Sequence, residues 1–270
     1  MIPARILLLL FGIVILHPQP SAYAVDVEII AHRGASYLAP ENTMASVRLA
    51  WELKADAVEI DVMLSRDGQI FLFHDKELKR LAGVAGIPSE LTFTELRRLD
   101  VGKWKSAKFA GERIPLLSEA LASIPEGKRM FVELKTGSEI VPELKRVVTA
   151  AGKQPAQIVF ISFDYAACVR AKKEMPKHVV AYISRYKRST DTPALESLIK
   201  RSTAGNLDAL DLDGNGGVSA KEAKQMKAAG LGYYVWTIND PKRATQLIKD
   251  GVDGITTDRP DWLRRQLDRP

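Results

Sequence analysis

Three carboxylates occupy positions where the alternation of apolar residues predicts the buried face of a strand. Glu59 and Asp61 lie two residues apart in VEIDV, and Glu133 precedes Lys135 by two residues in FVELK. Residues at i and i+2 of a strand face the same side of a sheet. Buried carboxylates without partners are costly, so three that converge require a cation. Oxygen ligands favour Mg²⁺ or Ca²⁺ over zinc, although each carboxylate alone also suits an ordinary ion pair, such as Glu133 with Lys135.

Two histidines stand where predicted strands end. His32 follows EIIA and precedes Arg33, and His74 follows IFLF and precedes Asp75. One such histidine is more often structural, but two of them in a chain with four histidines form a candidate acid–base pair. With a metal nearby, the set is typical of phosphoryl-ester hydrolysis. Arg33 and Lys135 would neutralise phosphate oxygens, while one histidine takes a proton and the other gives one to the leaving oxygen.

Short apolar runs that alternate with helical patterns must position these residues. We predict nine strands, at residues 27–31, 58–64, 70–74, 130–135, 158–162, 179–183, 208–212, 233–237 and 254–256. This alternation is typical of a parallel sheet, and about eight units predict a closed (β/α)₈ TIM-type barrel. The ninth strand is then a hairpin partner, which we assign to the pair 58–64 and 70–74. A doubly wound open sheet is the competing architecture, but AHRGAS is not its glycine-rich phosphate turn.

Two further patterns concern the segments between strands. TMASVRLAWEL predicts a helix capped by Asn42 or Thr43. The segment 76–118 contains glycines, prolines and two short helical patterns but no clear strand. It therefore predicts a small insertion, after the second and third strands, over one end of the barrel.

The N-terminal segment 1–24 has the features of a secretory signal peptide. It carries Arg5 near its start, an apolar run over 6–16, and the small-x-small pattern AYA that ends at Ala24. The apolar run is short for a membrane span, and a retained membrane anchor is the alternative. Cleavage near Ala24 would leave one barrel domain, 25–270, exported to the periplasm or secreted.

Charge and cysteine content exclude some functions. The chain has a formal net charge of +6, which favours anionic ligands or lipid surfaces as readily as it suits an unremarkable soluble surface. No long lysine or arginine cluster of the kind that nucleic-acid binding needs is present. We therefore expect a small-molecule substrate, no nucleic acid and at most peripheral membrane contact. Cys168 has no partner for an internal disulfide and lies in a helical pattern, so we expect it to be buried.

The polar residues lie in runs that together resemble the glycerophosphodiester phosphodiesterase family. The matching runs are AHRG (31–34), PENT (40–43), EIDV (59–62), DGQIFLFHD (67–75), ELT and ELRRLDVG (within 90–102), IPLLSEAL (114–121), VELK (132–135), SFD (162–164), VWTIND (235–240) and GVDGITTDRP (251–260). Each run alone is weak evidence. The ordered set spans nearly all of residues 25–270 and is specific.

This resemblance implies a phosphatidylinositol-phospholipase-C-like (β/α)₈ barrel. It also implies that the chain is an enzyme, which hydrolyses deacylated phospholipids, the glycerophosphodiesters, to sn-glycerol 3-phosphate and an alcohol. One divalent cation, Mg²⁺ or Ca²⁺, would be held by Glu59, Asp61 and Glu133. His32 and His74 would be the acid–base pair, with His32 as the base and His74 as the acid on the resemblance alone.

Two details of the resemblance bear on the substrate. The family often has an Arg-Thr-Thr-like run after its second histidine, where this chain has KRLAG, with Arg80 but no threonines. The family also gives the 76–118 segment a role in shaping the glycerol end of the site. Glu41, in PENT, has two interpretations of equal weight: it orients His32 through a hydrogen bond, or it only begins the next helix.

A second stretch of the sequence has the spacing of a metal-binding motif. DLDGNGGVSAKE (211–222) fits the spacing of an EF-hand loop, with Asp211 and Glu222 at its first and last positions. The preceding NLDALDLD alternates like a strand, whereas an EF-hand needs an entering helix. We favour a barrel strand, a loop and a helix capped by Ser219, with Asp211 or Asp213 contributing to the barrel mouth as a further possibility.

Three alternatives stay open on the sequence. Trp236 lies on a predicted strand near the same end as the histidines, where it either packs on the glycerol or alcohol moiety of a substrate or fills the barrel. A phospholipase-D-like lipid phosphodiesterase on the same barrel is the second alternative. A non-catalytic protein that binds Ca²⁺ or a diester is the remaining alternative, and the loop 211–222 is its only positive support.

Overall fold

A closed parallel barrel surrounded by helices forms the molecule. The computed structural model describes residues 27–190 and 192–268, within which there are nine strands: β1 (Glu28–Ala31), β2 (Ala57–Leu64), β3 (Ile70–Leu72), β4 (Arg129–Leu134), β5 (Ile158–Ser162), β6 (Val179–Ser184), β7 (Ala209–Asp213), β8 (Gly232–Trp236) and β9 (Gly254–Thr257). Eight of them pair in parallel, and β1 closes the ring by pairing with both β2 and β9. The predicted (β/α)₈ TIM-type barrel is confirmed.

The ninth strand, β3, pairs antiparallel with β2 and lies outside the ring. Val62 stands opposite Leu72, and Leu64 opposite Ile70. The connecting turn passes through Gly68 at φ +78°, a conformation that glycine adopts without strain. The predicted hairpin is confirmed, although the strand stops two residues before His74.

Ten α-helices lie between or after the strands of the described residues: α1 (Met44–Glu52), α2 (Lys79–Ala82), α3 (Phe93–Arg97), α4 (Leu117–Ala122), α5 (Val141–Ala151), α6 (Tyr165–Glu174), α7 (Leu195–Ala204), α8 (Ala220–Ala228), α9 (Pro241–Lys249) and α10 (Pro260–Leu267). Of the two residues predicted to cap α1, Asn42 and Thr43, it is Thr43 that caps the helix, through its side-chain oxygen. Among these helices, none has the length and apolar character that crossing a bilayer requires.

The inside of the barrel is apolar at one end and polar at the other. Inward residues such as Ile30, Phe131, Val159 and Tyr234 form one cluster between the strands. On each strand, the next residue that faces inward lies two positions further toward the carboxyl end. There the apolar side chains give way to polar and aromatic ones, so the sequence of each strand decides which end of the barrel is filled and which end is open.

Larger apolar clusters fill the space between the strands and the outer helices. Cys168 belongs to one of them and is 1% exposed, as the sequence predicted. Burial raises the pKa of its thiol to about 12, so at neutral pH it packs as a protonated, apolar side chain.

The segment that follows β3 builds a small core of its own. Residues of α2, α3 and their connections pack against the β2–β3 hairpin, with Leu78, Leu81, Leu96 and Ile114 buried there. Lys105 Nζ donates to the Ser36 carbonyl at 2.7 Å, which ties the segment to the loop after β1. The predicted insertion therefore stands beside the carboxyl end of the barrel, and it ends where α4 begins at Leu117. The predicted signal peptide, 1–24, lies outside the described residues.

Gly34 turns the chain directly after the histidine and arginine of the first strand. Its φ is +81°, and a Cβ there would lie 2.5 Å from the main-chain carbon of Ser46 in α1. Close packing against a helix, rather than space in a ligand pocket, therefore demands glycine. We expect Gly34→Ala to lower the free energy of unfolding by about 3 kcal/mol or more, as measured by urea denaturation.

Gly152→Ala is the matched control for this variant. Gly152 has φ +64° but nothing within 4 Å of a Cβ, so its replacement adds only the cost of the left-handed backbone, about 1 kcal/mol. Equal losses in the two variants would contradict the packing argument.

Candidate active site

A cavity of about 280 Å³ opens at the carboxyl ends of the barrel strands. It is lined by seven of the eight predicted site residues: His32, Arg33, Glu59, His74, Glu133, Lys135 and Trp236. The eighth, Asp61, is 1% exposed and forms ion pairs with Arg33 at 3.1 Å and with Lys135 at 3.5 Å. The fold therefore brings together all the residues that the sequence singled out, from β2, β4, β8 and the turns that follow β1, β3 and β4.

The three predicted metal ligands converge because β2 and β4 are neighbours in register. Asp61 stands directly opposite Glu133, and Glu59 lies two residues earlier on the same face. Ligand oxygens of the three lie within 4.8 Å of one another. Glu59 Oε1 and Asp61 Oδ1 are buried without any hydrogen-bond partner. Lys135 Nζ lies 3.5 Å from Asp61 Oδ1 but makes no hydrogen bond to it. Buried carboxylate oxygens without hydrogen bonds at this spacing fit a hard divalent cation, and no other group of three or more potential ligands occurs in residues 27–190 and 192–268.

The titration of these carboxylates also favours a bound cation. Burial and the neighbouring Asp61 raise the pKa of Glu59 well above its usual range. Burial and Asp61 likewise raise the pKa of Glu133 to about 7. Burial acts on Asp61 in the same direction, but the charges of Arg33 and Lys135 outweigh it and lower the pKa of Asp61. The site thus holds more negative charge than its two basic residues stabilise, and a divalent cation would supply the difference.

Arg33 is fixed in place from three directions. Its main chain lies in the left-handed region at φ +53°, and its backbone N–H donates to Glu59 Oε2 at 2.9 Å. Its guanidinium donates to Glu41 Oε1 at 2.7 Å and pairs with Asp61. A non-glycine residue with positive φ is strained, and here these three contacts hold the strained conformation at the edge of the site.

Both interpretations of Glu41 are wrong. Glu41 contacts Arg33 rather than His32, and it also accepts two hydrogen bonds from Arg80, at 2.7 and 2.8 Å. The helix begins at Met44, beyond its Thr43 cap, so Glu41 does not start it either. Electrostatics explains the difference, because Glu41 is the carboxylate on which two guanidinium groups converge. These partners hold its pKa below the usual range although burial acts to raise it.

His32 is oriented by Asp258, a residue that the sequence reasoning did not single out. His32 Nδ1 lies 2.6 Å from Asp258 Oδ1. Asp258 also accepts from Ser36 Oγ at 3.2 Å and from Asn239 Nδ2 at 2.6 Å. Burial opposes its ionisation, but these partners lower the pKa of Asp258 to about 2. An ionised Asp258 assigns the Nδ1 proton to His32 and leaves Nε2 for the substrate.

His74 has a different carboxylate partner. Its Nδ1 lies 2.8 Å from Asp75 Oδ1. Arg80 binds the same carboxylate through Nε at 2.6 Å and Nη2 at 2.9 Å. Arg80 foremost, then His74, lowers the pKa of Asp75 to about 2. Burial, aided by the charges of Arg33 and Lys135, lowers the pKa of His74 despite Asp61, so the imidazole is neutral at neutral pH.

The strand–loop–helix interpretation of 211–222 is confirmed, since β7 and α8 flank the loop. Its EF-hand ligands are scattered. Asp211 lines the cavity, whereas Asp213 accepts from the Asn215 N–H at 2.9 Å. Glu222 is engaged by Ser219 at the start of α8 and by the Tyr186 hydroxyl.

Asp211 is a buried acid with an unpartnered oxygen, Oδ1. Burial, and secondarily Glu133, raises its pKa from 3.8 to about 8. The folded protein therefore keeps a proton that the unfolded chain releases, and stability falls as the pH rises between those two values. We expect Asp211→Asn to raise the free energy of unfolding of metal-free protein by about 1–3 kcal/mol near pH 8. Near pH 3.8 the substitution should change it by almost nothing. Denaturation at several pH values measures this, and a gain independent of pH would contradict it.

Comparison with known proteins identifies the family. A profile of the glycerophosphoryl diester phosphodiesterase family matches residues 32–262. A glycerophosphodiester phosphodiesterase of Caldanaerobacter subterraneus is 31% identical, with 87% of this chain and 95% of that protein covered. A glycerophosphodiester phosphodiesterase of Bacillus subtilis is 26% identical, with 87% and 85% covered.

A solved structure shows the same likeness in three dimensions. The chain superimposes on a phosphodiesterase of Oleispira antarctica, determined in complex with the product sn-glycerol 3-phosphate. The TM-score is 0.82 and the identity 32%, with 90% of this chain and 97% of that one covered. Profile, relatives and solved structure agree on the family. The chain belongs to the glycerophosphoryl diester phosphodiesterase family and is a glycerophosphodiester phosphodiesterase.

Proposed function

We propose that the protein hydrolyses glycerophosphodiesters to sn-glycerol 3-phosphate and an alcohol in a reaction that depends on one divalent cation, Mg²⁺ or Ca²⁺. Glu59, Asp61 and Glu133 would hold the cation, and His32 and His74 would move the protons. The observation that carries this proposal is the convergence of three carboxylates and two carboxylate-oriented imidazoles on one cavity. When bound, the cation supplies positive charge that offsets the negative charge of the phosphodiester.

Arg33 and Lys135 would hold the phosphoryl oxygens. Each already pairs with a carboxylate of the proposed metal site: Arg33 with Asp61, and Lys135 with Glu133 at 2.7 Å. These ion pairs fix the two basic side chains beside the place where the diester must lie. A guanidinium offers paired donors and an ammonium offers a compact charge, so together they orient the substrate and offset the charge that develops on it.

The charges around the two histidines favour His74 as the base and His32 as the acid. His74 has a lowered pKa, and Arg80 shares the charge of its partner Asp75. Asp258 has no arginine or lysine partner among the described residues, so the carboxylate that orients His32 is not neutralised by a second basic side chain. This is the reverse of the assignment that the resemblance gave. His74 would take the proton of the attacking water, and His32 would give a proton to the leaving alcohol.

The test of this function is glycerol 3-phosphate release, followed with a coupled dehydrogenase, from glycerophosphoglycerol and glycerophosphoethanolamine with Mg²⁺ or Ca²⁺ present. Lysophosphatidylcholine in micelles is the comparison substrate for the lipid phosphodiesterase alternative, and its cleavage is followed by choline release because the other product would be lysophosphatidate rather than glycerol 3-phosphate. We expect the deacylated diesters to be hydrolysed with the higher kcat/KM. No release with either ion, or faster cleavage of the lipid, would contradict the proposal.

We also propose that the chain is exported, on the basis of the signal-peptide pattern in residues 1–24. Expression of the full chain, fractionation and N-terminal sequencing of the active protein test this. A mature chain that begins near Val25 outside the cytoplasm is expected, whereas an active protein that retains Met1 and stays in the cytoplasm would contradict export.

A further inference from the structure

The cavity has a second wall, on the side of the barrel that carries no predicted metal ligand. Phe163 and Arg185 follow directly after β5 and β6, and Trp236 ends β8; all three line the cavity. The two aromatic rings meet edge to face with centroids 5.5 Å apart. The guanidinium carbon of Arg185 lies 5.6 Å from the centroid of Phe163 and 5.8 Å from that of Trp236. We call these three residues the Arg185 wall.

Arg185 differs from the other cations of the cavity because no carboxylate neutralises it. Arg33 and Lys135 both form ion pairs with metal-site carboxylates. Within residues 27–190 and 192–268, no acidic side chain lies within ion-pair distance of Arg185, and Asp211, which also lines the cavity, makes no such pair. The aromatic faces hold the guanidinium in place but leave its charge and its donors free.

The Arg185 wall is also the open side of the cavity. Arg185 is exposed and Phe163 is 39% exposed. On the opposite side, beside His74, Arg80 is neutralised by Asp75 and Glu41, so that side offers no free guanidinium. All substrates of the proposed reaction share the glycerol 3-phosphate part and differ in the alcohol, which ranges widely in size. A substituent of variable size needs the side that opens to solvent.

We propose that Arg185 makes the enzyme prefer glycerophosphodiesters whose alcohol carries an anionic group, such as a second phosphodiester, over those whose alcohol is a quaternary ammonium. This inference rests on the proposed function. A phosphate beside the Arg185 wall accepts charge-assisted hydrogen bonds from the free guanidinium. A choline group would need the same aromatic faces for cation–π contact, and there it meets a like charge already in place.

The experiment compares kcat/KM for three diesters that share the glycerol 3-phosphate part. They are glycerophosphocholine with a cationic alcohol, glycerophosphoglycerol with a neutral one, and bis(glycerophospho)glycerol with an anionic one. We expect the anionic diester to exceed the cationic one by about tenfold or more, after allowance for its two equivalent bonds, as one charge-assisted hydrogen bond would give. The neutral diester should fall between them.

Three variants assign the preference to Arg185. Arg185→Gln is expected to bring the ratio of anionic to cationic diester close to one, mainly through KM, and Arg185→Lys to retain most of it. Arg188→Gln removes the same charge three residues away, where the side chain pairs with Glu222 at 3.2 Å outside this cavity, and should leave the ratio unchanged.

Two results would overturn the inference but not the proposed function. One is a wild-type ratio near one with all three diesters hydrolysed. The other is an equal loss on all three diesters in Arg185→Gln, which would place the shared glycerol 3-phosphate against the Arg185 wall. Release from none of the diesters would instead overturn the proposed function and the inference together.

Discussion

Replacement of His32 by alanine is expected to slow hydrolysis of glycerophosphoglycerol by about 10²–10⁴-fold in kcat, the contribution typical of a positioned general acid. The reason is geometric. Asp258 holds His32 through Nδ1 at 2.6 Å, so in the proposed reaction Nε2 would be the atom that protonates the leaving oxygen. A leaving group that departs without a proton removes this need. His32→Ala should therefore retain most of the wild-type rate on the p-nitrophenyl diester of glycerol phosphate.

His74→Ala distinguishes the acid from the base. A base that acts on the attacking water is needed whatever the leaving group, so we expect this variant to lose activity on both substrates to the same degree. His178→Gln is the control, because its ring packs against Phe160, away from the cavity lining. If His74→Ala spared the p-nitrophenyl substrate and His32→Ala did not, the two roles would have to be exchanged.

Glu59→Gln is expected to abolish tight binding of the divalent cation and to lower kcat by about 10²–10³-fold, since the cation contributes several kcal/mol of charge stabilisation. Isothermal titration with Ca²⁺ or Mn²⁺ should show one ion per wild-type chain and none per variant. Glu126→Gln makes the same change at an exposed acid, and this variant should bind the cation and hydrolyse the substrate as the wild type does.

Stability provides an independent check on the Glu59 variant. Burial and Asp61 raise the pKa of Glu59 well above its usual range. Ionised Glu59 is therefore a cost to the metal-free fold that grows as the pH rises, and the neutral amide removes it. Metal-free Glu59→Gln should melt at or above the wild-type temperature at neutral pH. A large loss of Tm would mean that lost activity reflects unfolding rather than the missing ligand.

The fold was predictable because period-2 alternation and turn residues are local. VEIDV and FVELK place their charges at inward positions, and a barrel of about eight strands aligns the ends of those strands. The closed ring also brings β9 beside β1. Asp258, one residue beyond β9, could therefore have been predicted as the partner of His32 from the run ITTD, although 226 positions separate the two residues.

The links between loops were not predictable in the same way. Arg80 binds Glu41, which lies 39 positions away in the sequence, and Asp75, which lies 5 positions away. These residues lie in turns and short helices, where no periodicity fixes the direction of a side chain. The same holds for the Arg185 wall, whose three residues come from the ends of three strands. Trp236 was predicted to lie at this end, but Phe163 and Arg185 are ordinary in sequence, and only the barrel makes the three residues neighbours.

Metal dependence is the central claim, and the most direct measurement is glycerol 3-phosphate release from glycerophosphoglycerol by wild-type protein before and after chelation. The protein would be dialysed against chelator, freed of it, and divided into samples with no ion, Mg²⁺ or Ca²⁺. The account predicts negligible release without an ion and recovery with at least one of them. Undiminished release from thoroughly chelated protein would contradict a catalytic cation at Glu59, Asp61 and Glu133.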